Sequence, residues 1–128
     1  ITTAPPPQVP GAVIEHSDPR HVDVLARDFP ELTVIMSHGG YPFVNEAIYT
    51  CLRNANVYMD LSEYETSPQA GLYVEAVNTL ISDKLVFASA HPFVEQADAL
   101  ATYAAFPFSP EVREKVMYSN ARSILGME

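Results

Sequence analysis

Tryptophan is absent from this chain, and cysteine occurs once in 128 residues. The single thiol, Cys51, excludes an internal disulfide. Its place on the apolar stripe of an expected helix reads as a buried structural thiol rather than a nucleophile. Basic side chains are scarce: 7 Lys and Arg against 16 Asp and Glu leave a formal net charge of -9 and a pI near 4.7. That balance argues against nucleic acid or an anionic membrane as partner. No apolar run approaches the roughly 20 residues needed to span a bilayer. No basic segment leads into an apolar one at the start, so no signal peptide is expected and the chain reads as cytoplasmic. His-x-His, Cys-x-x-Cys and His-Glu-x-x-His are all missing, so no metal signature stands on its own. Gly-x-Gly-x-x-Gly, a phosphate-binding Walker loop and a Gly-x-Ser-x-Gly elbow are missing too, which leaves a nucleotide cofactor unsupported.

What remains is ordinary globular composition, with 48% apolar and 18% charged residues. The length suits one domain but falls well short of the roughly 250 residues of a complete (β/α)8 barrel. Residues 1–17 form a proline-rich loop, in which Pro5, Pro6 and Pro7 must run extended because each ring fixes φ. The chain opens on Ile1 rather than Met, which reads as a cut inside a longer protein. Residues 18–128 then alternate in character. Ser17-Asp18-Pro19 is a helix start, with a capping side chain and Pro at the first helical position. Val22, Leu25, Ala26 and Phe29 follow at helical spacing until Pro30. Leu32 to Met36 is a near-continuous apolar run, as expected of a parallel strand.

The same grammar repeats. Val44, Ala47, Ile48, Cys51 and Leu52 mark a second helix, and Val57 to Leu61 a second strand. Tyr73, Ala76, Val77, Leu80 and Ile81 mark a third helix, and Leu85 to Ser89 a third strand. Gln96, Ala99, Leu100 and Tyr103 suggest another helix, Ser109-Pro110 opens a further one, and a last helical segment runs from Asn120 and stops at Gly126. Ile1-Thr2-Thr3 is a candidate fourth strand. Alternating strands and helices imply βαβ crossovers and a parallel sheet. The expected fold class is therefore α/β, either half a TIM barrel or a small open sheet.

Two strand ends carry ionisable groups. Ser37-His38-Gly39-Gly40 follows the first strand, and Ala88-Ser89-Ala90-His91-Pro92-Phe93 follows the third. In α/β barrels, chemistry sits at such C-terminal ends. Glycines after His38 allow a sharp turn and close approach of a ligand. An imidazole there can ligate a metal, act as a base or orient a water, or simply bond a neighbouring carbonyl. Asp60 lies inside an otherwise apolar strand and must be paired, hydrogen-bonded or coordinated. It is a candidate acid, or a tether for the next loop. Ser62, Glu63 and Glu65 read as solvated loop residues. His91 is a weak candidate ligand and more simply a loop residue. His21 reads as exposed, and His16 would line the mouth of the site if the proline loop folds over it.

Four ordered segments resemble the amidohydrolase-related family that includes aminocarboxymuconate semialdehyde decarboxylase and γ-resorcylate decarboxylase. They are Asp28–Gly40, Asn56–Ser62, Phe87–Pro92 and Ser119–Gly126. The resemblance implies the C-terminal half of a metal-dependent (β/α)8 barrel that hydrolyses or decarboxylates small carboxylated substrates, phenolic ones among them. It implies a catalytic role for His38, a second candidate in Asp60, and one divalent ion, often zinc. The family's aspartate in the Ser-Asp-x-Pro motif is Ala90 here, and the first-strand His-x-His or Glu-x-His pair has no counterpart. A methyl group can neither ligate a cation nor take a proton, so the chain alone is expected to be inactive and without its own metal. An inactive barrel segment serving as scaffold or interaction module is the alternative. Open sheet edges in a half barrel invite pairing, so a second copy or the missing half is the expected partner besides a small-molecule substrate.

Overall fold

The computed structural model describes residues 1–127. Three helices pack on one side of a short parallel sheet: α1 (Pro19–Asp28), α2 (Val44–Arg53) and α3 (Ala70–Thr79). The sheet is built on β1 (Val34–Met36) and β2 (Val57–Met59), paired in parallel with Val34 opposite Val57 and Met36 opposite Met59. Two further segments extend it. Thr2 bridges to Ser37, with the Thr3 N–H donating to the Ser37 carbonyl at 3.1 Å and the Ser37 N–H to the Ile1 carbonyl at 2.8 Å. Leu85 bridges to Met59, and the Val86 N–H donates to the Met59 carbonyl at 2.9 Å. The four parallel segments thus lie side by side in sequence order. A doubly wound sheet reverses its order at a switch point; an uninterrupted order is the local pattern of a barrel wall.

The expected third strand, Leu85–Ser89, is reduced to a single bridge. It has a neighbour on one side only, and beyond Val86 the Phe87 N–H leaves the sheet to bond the Val116 carbonyl at 3.0 Å. Asn120 holds the start of this segment, donating to the Ser82 and Leu85 carbonyls at 3.0 and 2.8 Å.

Burial alternates along the strands. Val34, Met36, Val57, Met59 and Leu85 form the core with the helices, none more than 3% exposed. Ile35 and Tyr58, on the opposite face, stay half-buried. That second face borders a cavity of about 370 Å³ whose walls include Ile35, Ser37, Asp60, Val86 and Ala88, capped by Ile124 and Leu125 from the C-terminal helix. Helices α1 to α3 cover the strands on one face, and residues of the C-terminal segment close over the cavity on the other.

Helix starts follow their sequence cues. Asp18 caps α1, its carboxylate accepting from the Arg20 N–H at 2.9 Å, with Pro19 at the first position. The Arg20 guanidinium beside it holds the Asp18 carboxyl below the usual range. Ser109 caps α5 (Pro110–Glu114), which follows α4 (Gln96–Ala105) and runs through a π turn at Lys115–Ser119 into α6 (Asn120–Ile124). Gly126 then adopts φ 62. Helix stripes were read slightly too long: Phe29, Leu52 and Leu80 are 50%, 45% and 60% exposed. Phe29 and Leu80 fall just past their helices, and Leu52 lies on the outer side of α2. Cys51 is fully buried and desolvation pushes its thiol up to about 12, which leaves it protonated and inert. No described helix is long and apolar enough to cross a membrane.

Candidate active site at the strand ends

The chain turns sharply after β1. His38, Gly39 and Gly40 take φ of 72, 63 and 73 in succession, and His38 does so despite its Cβ. A non-glycine residue in this region costs on the order of 1 kcal/mol and persists only where neighbours hold it. Here the neighbours are identifiable. The His38 N–H donates to Asp60 Oδ1 at 3.4 Å, and the Tyr73 hydroxyl donates to the Gly39 carbonyl at 2.8 Å. His38 Nδ1 lies 2.7 Å from the Ser62 carbonyl oxygen. A carbonyl only accepts, so Nδ1 carries the proton and the lone pair sits on Nε2. The imidazole is 19% exposed. The ring is therefore oriented, in a defined tautomer, with its basic nitrogen uncommitted.

Asp60 continues β2 and is buried at 5% exposure. Its Oδ1 accepts from the Ser62 N–H at 3.0 Å, the Ser62 hydroxyl at 2.5 Å and the His38 N–H. Through Oδ1 this carboxylate makes the tethering bonds, and it also borders the half-open cavity. It ties the turn after β1 to the loop after β2, and so places His38 against the Ser62 carbonyl.

The loop after β2 is not solvated as its polar sequence suggested. Of the three residues expected to be solvated, Ser62 and Glu65 are buried at 4% and 6% exposure while Glu63 is exposed, its carboxylate 3.7 Å from His38 Nδ1. The loop folds back on itself, with the Tyr64 N–H bonding the Leu61 carbonyl at 2.8 Å and the Ser67 N–H the Tyr64 carbonyl at 3.0 Å. Glu65 Oε1 is buried without a hydrogen-bond partner. Burial, reinforced by Asp60 and Glu63 and opposed by His38, raises its carboxyl above the usual range. The protonated form is thus favoured in the fold, and stability falls as pH rises from the unfolded glutamate range toward the raised folded value. Glu65→Gln, which mimics the neutral acid, is expected to stabilise the protein at pH 7.5. The gain should vanish near pH 4, about where free glutamate itself protonates. Urea midpoints of both proteins across that range check this; a pH-independent difference would contradict it.

The remaining histidines lie apart. His91 is exposed and follows Ala90, whose φ is 56; its N–H donates to Ser89 Oγ at 3.3 Å. His16 and His21 are exposed, His21 bonded to the Glu15 carbonyl at 3.0 Å. His16 is not brought into the mouth. The proline loop does fold over the rim, but through Pro6–Val9. With Glu63, Tyr64 and Phe93 these residues line a cavity of about 650 Å³. Tyr64, on the wall of this cavity, has its ring 5.7 Å from that of His38. Sequence reasoning places Glu65 in solvent, where the structure buries it, and passes over Tyr64. Tyr64's cue was a large aromatic two residues beyond Ser62, in a loop otherwise polar. Among the described residues, no three His, Cys, Asp or Glu side chains gather closely enough to hold a metal ion.

Several known proteins are similar to this chain. An uncharacterized TIM-barrel protein of Bordetella bronchiseptica superposes with a TM-score of 0.87 at 29% identity, over 98% of this chain and 44% of that one. A dihydroxybenzoic acid decarboxylase from a Polaromonas species, solved with bound manganese and the inhibitor 2-nitroresorcinol, gives a TM-score of 0.59 at 19% identity, over 80% of this chain and 36% of that one. Protein fluG of Emericella nidulans is 28% identical over 89 residues, which are 66% of this chain and 10% of its own length. The chain thus spans less than half of each of these proteins, and its α/β fold is a partial barrel. The family model described as Amidohydrolase matches residues 4–127, and the chain belongs to that family.

Proposed function

We propose that this chain is the C-terminal half of a cytoplasmic hydrolase or carboxy-lyase barrel acting on small carboxylated substrates, phenolic ones among them. The observation that carries this reading is His38, fixed at a strand end with Nδ1 2.7 Å from the Ser62 carbonyl oxygen, an arrangement that leaves Nε2 as the nitrogen able to take a proton. Such a nitrogen takes a proton from an attacking water in hydrolysis. In its protonated form it delivers one to the carbon that carbon dioxide has left. Asp60 acts through His38 as a positioning residue. The half-open face around Ile35, Asp60 and Val86 is where the remaining strands, or a second copy, would close the barrel. A divalent ion, zinc by the family resemblance, would take ligands from those strands, since no three candidate ligands gather among the described residues of this one.

Ala90 favours a second reading, an inactive barrel segment kept as scaffold. One experiment separates the two. The chain is co-expressed with the N-terminal strands of a family barrel, co-purified and assayed for decarboxylation of 2,6-dihydroxybenzoate. Ala90→Asp is expected to raise turnover by at least about 100-fold, the usual scale of one positioned acid-base group. Failure of the halves to co-purify, or no gain from the aspartate, would count against the enzyme reading and for the scaffold.

A further inference from the structure

The rim cavity carries a chemistry that points to its ligand. Its walls are the pyrrolidine rings of Pro6 and Pro7, the Tyr64 ring and Phe93, which is 83% exposed. A second tyrosine, Tyr41, backs Tyr64 at 5.1 Å between ring centroids. The one charged side chain on these walls is Glu63. All seven Lys and Arg are engaged elsewhere. Arg20, Arg27 and Arg53 pair with aspartates, Lys84, Arg113 and Arg122 bond backbone carbonyls, and Lys115 bonds Ser82. A carboxylate entering this cavity would meet Glu63 and no cation from this chain. A cation would meet a carboxylate and two aromatic side chains, the residue types used to recognise ammonium groups.

We propose that this cavity binds an ammonium or other cationic group of the substrate, so that the substrate's carboxylate lies toward the opposite half of the barrel. This rests on the reading of the strand ends as an active site and adds the class of ligand. The direction of selectivity follows from Glu63, and the affinity from Tyr64 and Phe93. The proline segment restricts the cavity without adding charge of its own. The net charge of -9 adds to the attraction for a cation at long range.

The test titrates the purified chain calorimetrically at pH 8 with benzyltrimethylammonium and, separately, with benzoate, two ligands of similar shape and opposite charge. The ammonium is expected to bind with Kd on the order of 1 mM and benzoate at least about tenfold more weakly. Glu63→Gln and Phe93→Ala, both at exposed positions that leave the core untouched, should each weaken the ammonium by about three- to tenfold. Benzoate binding as tightly as the ammonium overturns the proposal. So does an ammonium affinity that is undetectable or indifferent to both substitutions. Turnover of 2,6-dihydroxybenzoate by the completed barrel is read independently. If it persists while ammonium binding fails, the cation subsite falls and the enzyme reading stands.

Discussion

His38→Asn in the completed barrel, carrying Ala90→Asp, is expected to lower turnover by about 10²- to 10⁴-fold with little change in stability. Asparagine is chosen for the backbone. With histidine and aspartate it is among the non-glycine residues that most readily adopt the left-handed φ found at position 38. Its amide can also donate to the Ser62 carbonyl, which now accepts from Nδ1. The substitution therefore keeps the turn and removes the one feature asparagine cannot supply, a basic nitrogen on the far side of the ring. Paired measurements of kcat and the urea midpoint decide the matter. A kcat within about threefold of the parent, at unchanged stability, would mean that His38 only bonds a carbonyl.

Gly40→Ala is expected to cost about 3 kcal/mol of folding stability, combining the left-handed backbone with overpacking. At φ 73 the added Cβ would lie 2.6 Å from Pro19 Cγ and 2.8 Å from Ala47 Cβ. Neither atom is the free end of a flexible chain. One is a ring carbon at the start of α1 and the other a methyl on the fully buried face of α2. Relief would require the two helices to separate where they both meet the turn. Gly11→Ala is the control. Gly11 also has positive φ, at 84, but nothing lies within 4 Å of its Cβ position. It should cost only about 1 kcal/mol, the backbone part alone. Equal costs for the two variants, measured by urea unfolding, would mean that packing at the turn contributes nothing.

Much of the fold was legible because its signals are local. Pro19 and Pro110 mark helix starts through their fixed φ, and Asp18 and Ser109 cap them through bonds spanning two or three residues. The apolar runs of β1 and β2 reported strands for an equally local reason. The third strand was overread because an apolar run reports burial, while a ladder needs a partner on the correct edge. Leu85 to Ser89 has β2 on one side and then turns to Val116.

The site divides the same way. Two positions stand out in the sequence on residue type and place alone, His38 before two glycines and Asp60 in an apolar run, and a third, Ala90, stands out only through the family resemblance. That much depends on chain order, and chain order is what a sequence states. Which nitrogen of His38 faces the Ser62 carbonyl, that Asp60 bonds the backbone of His38 and Ser62, that Glu65 Oε1 is buried without a partner among the described residues, and that Pro6, Glu63, Tyr64 and Phe93 share one cavity are decided by tertiary structure. Each depends on contacts between segments brought together only when four parallel strands align their ends. Burial and hydrogen-bond geometry at that rim are properties of the assembled wall, and no stretch of the chain encodes them alone.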